Sequence, residues 1–252
     1  KSMKNKFFNS SFSNIYSRPT KTAEVVSQIL YGEKFKILKK SQDWIKVKTS
    51  FDNYVGFIKK GRFKDNLRPS KKIFKLKTRI YKKKKNKFFK TSHFLYFGSG
   101  IEIKNQNLNY IEFENNRWIK KDDTKKIDHL EKNFNKVSKM FLNSKYLWGG
   151  KTSDGIDCSA LIQIFFYYNR VFFPRDSSDQ MKFCKKKNSK QFYKGDIIFW
   201  KGHVGVCINK SKFIHAYGPK KKVIIMNIKN TIKIIEKTAK LIVKKISNIY
   251  DY

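Results

Sequence analysis

Asp154-Gly155-Ile156-Asp157-Cys158-Ser159-Ala160-Leu161-Ile162-Gln163-Ile164-Phe165-Phe166-Tyr167-Tyr168 is the stretch that decides the fold. A glycine turn leads to Asp157, a residue type that caps helices, and then to an apolar run interrupted only by Ser159 and Gln163. This predicts a buried helix opening at Cys158, although the aromatic content also permits a strand. A thiol at a helix start faces free backbone N–H groups and the positive end of the helix dipole, which favour the thiolate. A thiolate is the nucleophile of a cysteine hydrolase.

The pattern downstream of Gly195 is that of strands, over residues 196–200, 203–208, 213–216 and 223–228. His203 opens one and His215 lies near the end of another. Two adjacent antiparallel strands would bring both imidazoles beside the helix start, with His203 as base and acid and His215 holding its tautomer. Upstream, residues 129–143 carry Leu130, Phe134, Val137, Met140, Phe141 and Leu142, with spacings of three and four that predict an amphipathic helix. Helices followed by antiparallel strands imply an α+β domain over residues 125–252. Residues 231–252 are ambiguous between helix and strand. Before residue 125 the chain reads as short strands separated by polar turns: 25–26, 35–38, 44–47 and 54–58, then 73–80, 94–97, 100–103, 110–113 and 117–119. Such spacing predicts two small all-β barrels, over residues 1–68 and 69–124, with residues 67–71 as the link.

The chain has 252 residues, 40% of them hydrophobic, which excludes a disordered chain and leaves room for a real core. Its net charge is +39. Only seven of the basic residues are Arg, and Lys, Asn, Ile and Phe together make up nearly half the chain. A phosphate-binding surface draws on Arg, whose planar fork grips an oxyanion twice. The charge is therefore read as a compositional bias spread over every segment, and no specific nucleic-acid partner is expected. No run of 18 apolar residues occurs, so no membrane insertion is expected. No secretory signal is visible at the start, which favours a cytoplasmic protein; a signal removed before numbering began would instead place it in the periplasm or cell envelope.

The ordered blocks Tyr146-Leu147-Trp148-Gly149-Gly150, Asp154 to Ser159, Pro174-Arg175-Asp176-Ser177-Ser178-Asp179-Gln180, Lys194-Gly195-Asp196-Ile197-Ile198-Phe199-Trp200, Gly202-His203-Val204-Gly205-Val206 and Phe213-Ile214-His215-Ala216 resemble the NlpC type of papain-like cysteine peptidase. Residues 22–33 and 43–57 resemble the first of two bacterial SH3-like domains in one subgroup, the γ-D-glutamyl-L-diamino-acid endopeptidases, also called dipeptidyl-peptidase VI-like. The resemblance implies two SH3-like barrels followed by a papain-like α+β peptidase domain. It implies a cysteine endopeptidase that cuts the γ-D-glutamyl to diamino-acid bond (diaminopimelate or lysine) of peptidoglycan stem peptides with a free N-terminal L-Ala.

The same resemblance implies residue roles. Cys158 matches the nucleophile, His203 the base and His215 the third polar residue. Tyr146 matches a tyrosine that helps hold the oxyanion together with the Cys158 N–H. Asp157, Ser159, Arg175, Asp176 and Ser177 match residues lining the substrate groove, and Arg175 has the alternative of orienting Asp157. Asp176, Glu24 and Tyr54 match the cluster that grips the free amine, with Glu33 as rival to Glu24. The sequence departs from the family in having Ala160 where glycine is usual. No cofactor and no metal are expected, because close cysteine pairs are absent. Cys184 is read as incidental, Cys207 as core, and His93 and His129 as exposed or capping. The four tryptophans are read as core, with Trp148 and Trp200 also at the groove rim. A monomer is expected.

Overall fold

The computed structural model describes residues 5–189 and 191–251. It divides into two compact units, one running to Leu130 with the addition of Tyr168–Arg170, the other comprising Glu131–Tyr167 and Val171 onward.

In the first unit a seven-stranded sheet has the order Val25–Leu30, Phe12–Tyr16, Val55–Lys59, Trp44–Thr49, Lys34–Lys40, Asn5–Phe8, Phe63–Lys64. Strict alternation in Trp44–Thr49 turns Ile45, Val47 and Thr49 inward. With Phe8, Ile15, Ile29, Phe35 and Ile58 the two aliphatic residues form one core. A second core is built from Ile73, Ile80, Leu95, Ile101, Ile111, Phe113 and Ile119. Tyr31 joins this second core from the first strand set, and its hydroxyl donates to Glu114 at 2.9 Å. The turn that presents Tyr31 needs Gly32, at φ +77°, where a Cβ would lie 2.2 Å from the Gly100 carbonyl oxygen.

Two details of this unit differ from the sequence expectation. The expected strand over residues 73–80 is broken into Lys71–Ile73 and Lys77–Lys84. The second piece continues into a long hairpin with Lys87–Tyr96, turning at Lys85 and Asn86, both with positive φ. A lysine-rich run hid this hairpin, because long aliphatic stems pack on a sheet while their charges stay in water. His129, expected to be exposed or capping, instead bonds the Tyr168 hydroxyl at 2.8 Å and packs edge-on to Phe74.

The second unit carries four helices, α1 (Phe134–Met140), α2 (Cys158–Asn169, its last turn counted with the first unit), α3 (Ser177–Phe183) and α4 (Ile228–Ala239). Its antiparallel sheet has the order Lys222–Asn227, Lys212–Tyr217, His203–Cys207, Asp196–Trp200, Lys245–Asn248. Helix α1 is shorter than expected, because the Asn133 side chain accepts from the Lys136 N–H and starts the helix there, leaving Leu130 exposed. Helix α2 is apolar on all sides and is buried along nearly its whole length. Gln163, wholly buried within it, donates to the Phe173 carbonyl at 3.0 Å, and Phe166 stacks on Phe173. The ambiguous tail resolves into α4 and the edge strand Lys245–Asn248, which pairs with Asp196–Phe199. Helix α3 was not legible in its sequence.

Gly205 is central to the sheet. A Cβ there would lie 2.6 Å from the Phe213 ring and 3.1 Å from the His215 Cβ. Gly205→Ala is therefore expected to destabilise the protein by about 1–3 kcal/mol, the usual cost of overpacking; denaturant unfolding of the two proteins measures it.

Candidate active site

The loop leading to α2 is folded tightly by two glycines. A Cβ on Gly150 would lie 2.3 Å from the Gly155 carbonyl oxygen, so the short ladder of Lys151–Thr152 with Gly155–Ile156 closes only with glycine there. The loop delivers Asp157 to the helix start, where the carboxylate is saturated. Its Oδ1 accepts from the Ala160 N–H (2.8 Å), the Ser159 hydroxyl (3.0 Å) and Arg175 Nη1 (3.0 Å). Its Oδ2 accepts from the Gly149 N–H (3.0 Å) and Arg175 Nη2 (2.7 Å). Arg175 also donates to the Ser159 Oγ at 2.9 Å and to the Gly150 carbonyl at 3.3 Å, and it is 2% exposed. Asp157, Ser159 and Arg175 are thus bound to one another. Of the two roles open to Arg175, orienting Asp157 is the one this geometry displays.

Cys158, the first residue of α2, is buried. The backbone N–H groups of Val204 and Ser159 act on its sulfur in favour of the thiolate. Val204 follows His203 in the strand His203–Cys207, so the thiol lies near that strand. His203 Nε2 and His215 Nδ1 lie 2.8 Å apart. Rings surround the pair: Trp200 and Tyr217 beside His203, Phe213 and a stacked Tyr217 beside His215. Tyr146 is half-buried, and Cys158 and Asp157 both lie within electrostatic reach of its hydroxyl.

This apolar surrounding works against the expected thiolate. Burial pushes the Cys158 thiol up to about 12, and the Asp157 carboxylate adds to the effect; the Val204 N–H, the Arg175 guanidinium and the Ser159 N–H oppose it without prevailing. Burial lowers His203 to about 4. His215 falls to about 2, through burial and then through its neighbour His203. Burial likewise raises Tyr146. Burial thus favours the neutral thiol and the neutral imidazole.

The other expected residues are placed as follows. Asp176 is the N-cap residue of α3 and Ser177 its first residue; both are half-buried. Glu24 is exposed, and the Tyr54 hydroxyl donates to the Val26 carbonyl at 3.5 Å. Glu33 is 4% exposed and its carboxylate accepts the Leu30 N–H of its own turn, which favours Glu24 over Glu33 as the outward-facing group. Trp200 is buried, whereas Trp148 is 55% exposed and so is not a core residue. Cys184 and Cys207 are both buried, the latter within the sheet's core. Sequence reasoning assigned no role to Gln180, which is wholly buried and whose Nε2 donates to the Ser159 and Pro174 carbonyls, both at 2.9 Å, tying α3 to the start of α2. Its signal was its place at the end of the Pro174 to Gln180 block.

Residues 143–240 match the NlpC/P60 family, and residues 15–61 match the bacterial dipeptidyl-peptidase Sh3 domain. The chain is similar to dipeptidyl-peptidase 6 of Lysinibacillus sphaericus, 24% identical over 236 residues that span 81% of this chain and 84% of that protein. It is 34% identical over 100 residues to γ-D-glutamyl-L-lysine dipeptidyl-peptidase of Bacillus subtilis, a stretch covering 36% of this chain and 34% of that protein. Among solved structures, an NlpC/P60 family protein from Bacillus cereus has the same fold, with a TM-score of 0.79 at 19% identity, covering 97% of this chain and 99% of that one.

The clamp under Cys158 can be tested directly. Arg175→Ala leaves a buried carboxylate without its counter-ion and is expected to destabilise the protein by about 3–5 kcal/mol, read as a fall in the denaturant midpoint. With the family match falling on the residues that form the clamp, the buried cysteine and the paired histidines, this chain carries an NlpC/P60 domain of the cysteine peptidase type at residues 143–240, preceded at residues 15–61 by a bacterial dipeptidyl-peptidase Sh3 domain.

Proposed function

We propose that the enzyme hydrolyses the γ-D-glutamyl to diamino-acid bond of peptidoglycan stem peptides that carry a free N-terminal L-Ala. The observation that carries the chemistry is the pairing of His203 with His215 at 2.8 Å on the strands beside the buried Cys158 at the start of α2. The substrate is supported by the names of the relatives, a dipeptidyl-peptidase 6 and a γ-D-glutamyl-L-lysine dipeptidyl-peptidase. In this reading the chain is organised as residues 1–68, 69–124 and 125–252, with the two N-terminal sheets closing as SH3-like barrels.

The reaction starts from the neutral pair that burial favours. His203 takes the thiol proton as the sulfur attacks the glutamyl carbonyl, so charge develops only when substrate is present. The Cys158 N–H and the Tyr146 hydroxyl hold the oxyanion. Imidazolium His203, steadied by His215, gives its proton to the departing amine of the diamino acid. A thioester remains on Cys158, and His203 then activates the water that cleaves it. Asp176, Glu24 and Tyr54 recognise the free amine, a cation that needs acceptors, while Ser177 lines the groove. Asp157, Ser159 and Arg175 serve the groove by fixing the backbone on which Cys158 rides.

Two peptides test the substrate: L-Ala-γ-D-Glu-diaminopimelate and its N-acetylated twin, each with wild type and Cys158→Ala. Cleavage of the free-amine peptide alone, by wild type alone, is expected. Equal cleavage of both peptides defeats the amine preference, and cleavage of neither defeats the substrate assignment.

The protonation states supply a second test. His203 works as a base only when unprotonated, so kcat/KM is expected to hold down to mildly acidic pH and to fall as pH drops through about 4. Alkylation of Cys158 by iodoacetamide in the absence of substrate is expected to keep rising with pH beyond neutrality. A plateau reached at acidic pH would mean a preformed thiolate–imidazolium pair instead.

A further inference from the structure

We infer that Met226 is a positioning residue that selects the catalytically competent tautomer of both histidines. The strand Lys222–Asn227 pairs with Lys212–Tyr217 in the register Phe213 with Met226 and His215 with Ile224. Side chains two apart on a strand share a face, so Met226 lies diagonally across from His215. Its Sδ is 3.3 Å from His215 Nε2, while His215 Nδ1 is 2.8 Å from His203 Nε2. His215 is wholly buried, so both of its ring nitrogens are served from within the protein.

A neutral imidazole has one donor nitrogen and one acceptor nitrogen. The row His203–His215–Met226 therefore has two self-consistent states. In the first, His215 Nε2–H donates to the Met226 thioether, leaving Nδ1 as acceptor; His203 Nε2–H donates to it, and His203 Nδ1 carries the free lone pair. In the second, His215 Nδ1–H donates to His203 Nε2, the His203 proton moves to Nδ1, and the bare His215 Nε2 faces the sulfur lone pairs. The second state buries an acceptor with no donor, which is unfavourable. It also leaves His203 without a base, since Nε2 is engaged and Nδ1 already carries hydrogen. A thioether accepts a hydrogen bond but cannot donate one. Met226 thus enforces the first state, as a carboxylate or amide oxygen would, without placing a charge or a second donor in an apolar pocket. The base assignment of His203 rests on the function proposed above; the tautomers do not.

The test is the nitrogen-15 NMR spectrum of the histidine rings in wild type, Met226→Leu and Met226→Gln. In wild type both His203 and His215 are expected to be protonated at Nε2. Met226→Leu keeps the volume and removes the acceptor; it is expected to populate the other tautomers and to lower kcat about tenfold with little change in KM. Met226→Gln offers an amide oxygen and is expected to restore most of the loss. A wild-type spectrum with hydrogen on Nδ1 of either ring overturns the inference on the native protein alone, whatever the variants do. Met226→Leu with unchanged tautomers overturns it too, even if stability falls, because a packing role moves the melting temperature and not the ring protons. An enzyme that cleaves neither test peptide but shows the expected tautomers would sink the proposed substrate and leave this inference standing.

Discussion

The buried fork of Arg175 on Asp157 is the interaction on which the rest of the site depends. One carboxylate caps α2, holds the Gly149 turn and takes both arms of a guanidinium. An isolated charge at this depth would be costly, and two charges in bidentate contact with every lone pair used are tolerable. The arrangement fixes the backbone on both sides of Cys158 without touching its sulfur. Gln180 adds a neutral tie from α3 to the Ser159 carbonyl. Cys158 therefore stands on a seat assembled from three separated stretches of chain.

The same burial that encloses the seat bears on the chemistry. Aromatic rings and strand backbone bury Cys158 and His215 and half-bury His203, and each group is pushed toward its neutral form. The helix-start N–H groups and Arg175 act in favour of the thiolate, but the desolvation of a buried sulfur outweighs them. Burial therefore opposes the charge that the helix start favours on Cys158.

Lysine, about one residue in five of the sequence, serves as structural material as well as surface. Lys72 is 1% exposed, with its ammonium on the Tyr168 carbonyl at 2.7 Å and over the Tyr168 ring at 4.1 Å; burial and the nearby Arg170 lower it to about 8. Lys151, equally buried, lies over the Tyr167 ring at 4.3 Å. Long aliphatic stems with aromatic partners let lysine occupy positions where other sequences would place an apolar side chain.

The sequence by itself determined the start of α2, the strand pair carrying His203 and His215, and the blocks that mark the family, because these are local signals: a cap before an apolar run, alternation, and glycine where the backbone turns. It also carried the strands of Trp44–Thr49 and Tyr110–Glu114, whose alternation is undiluted. The Lys77–Tyr96 hairpin was hidden by lysines whose stems, rather than whose charges, decide their placement, and α3 is a short helix of seven residues without an apolar repeat. Only the tertiary structure decided that Arg175 serves Asp157, that His129 packs with Tyr168, that Trp148 is exposed, and that burial opposes the thiolate. The reason is physical. Burial, counter-ion placement and cross-strand diagonals such as Met226 with His215 depend on residues far apart in sequence, and no local pattern encodes the dielectric surroundings of a side chain.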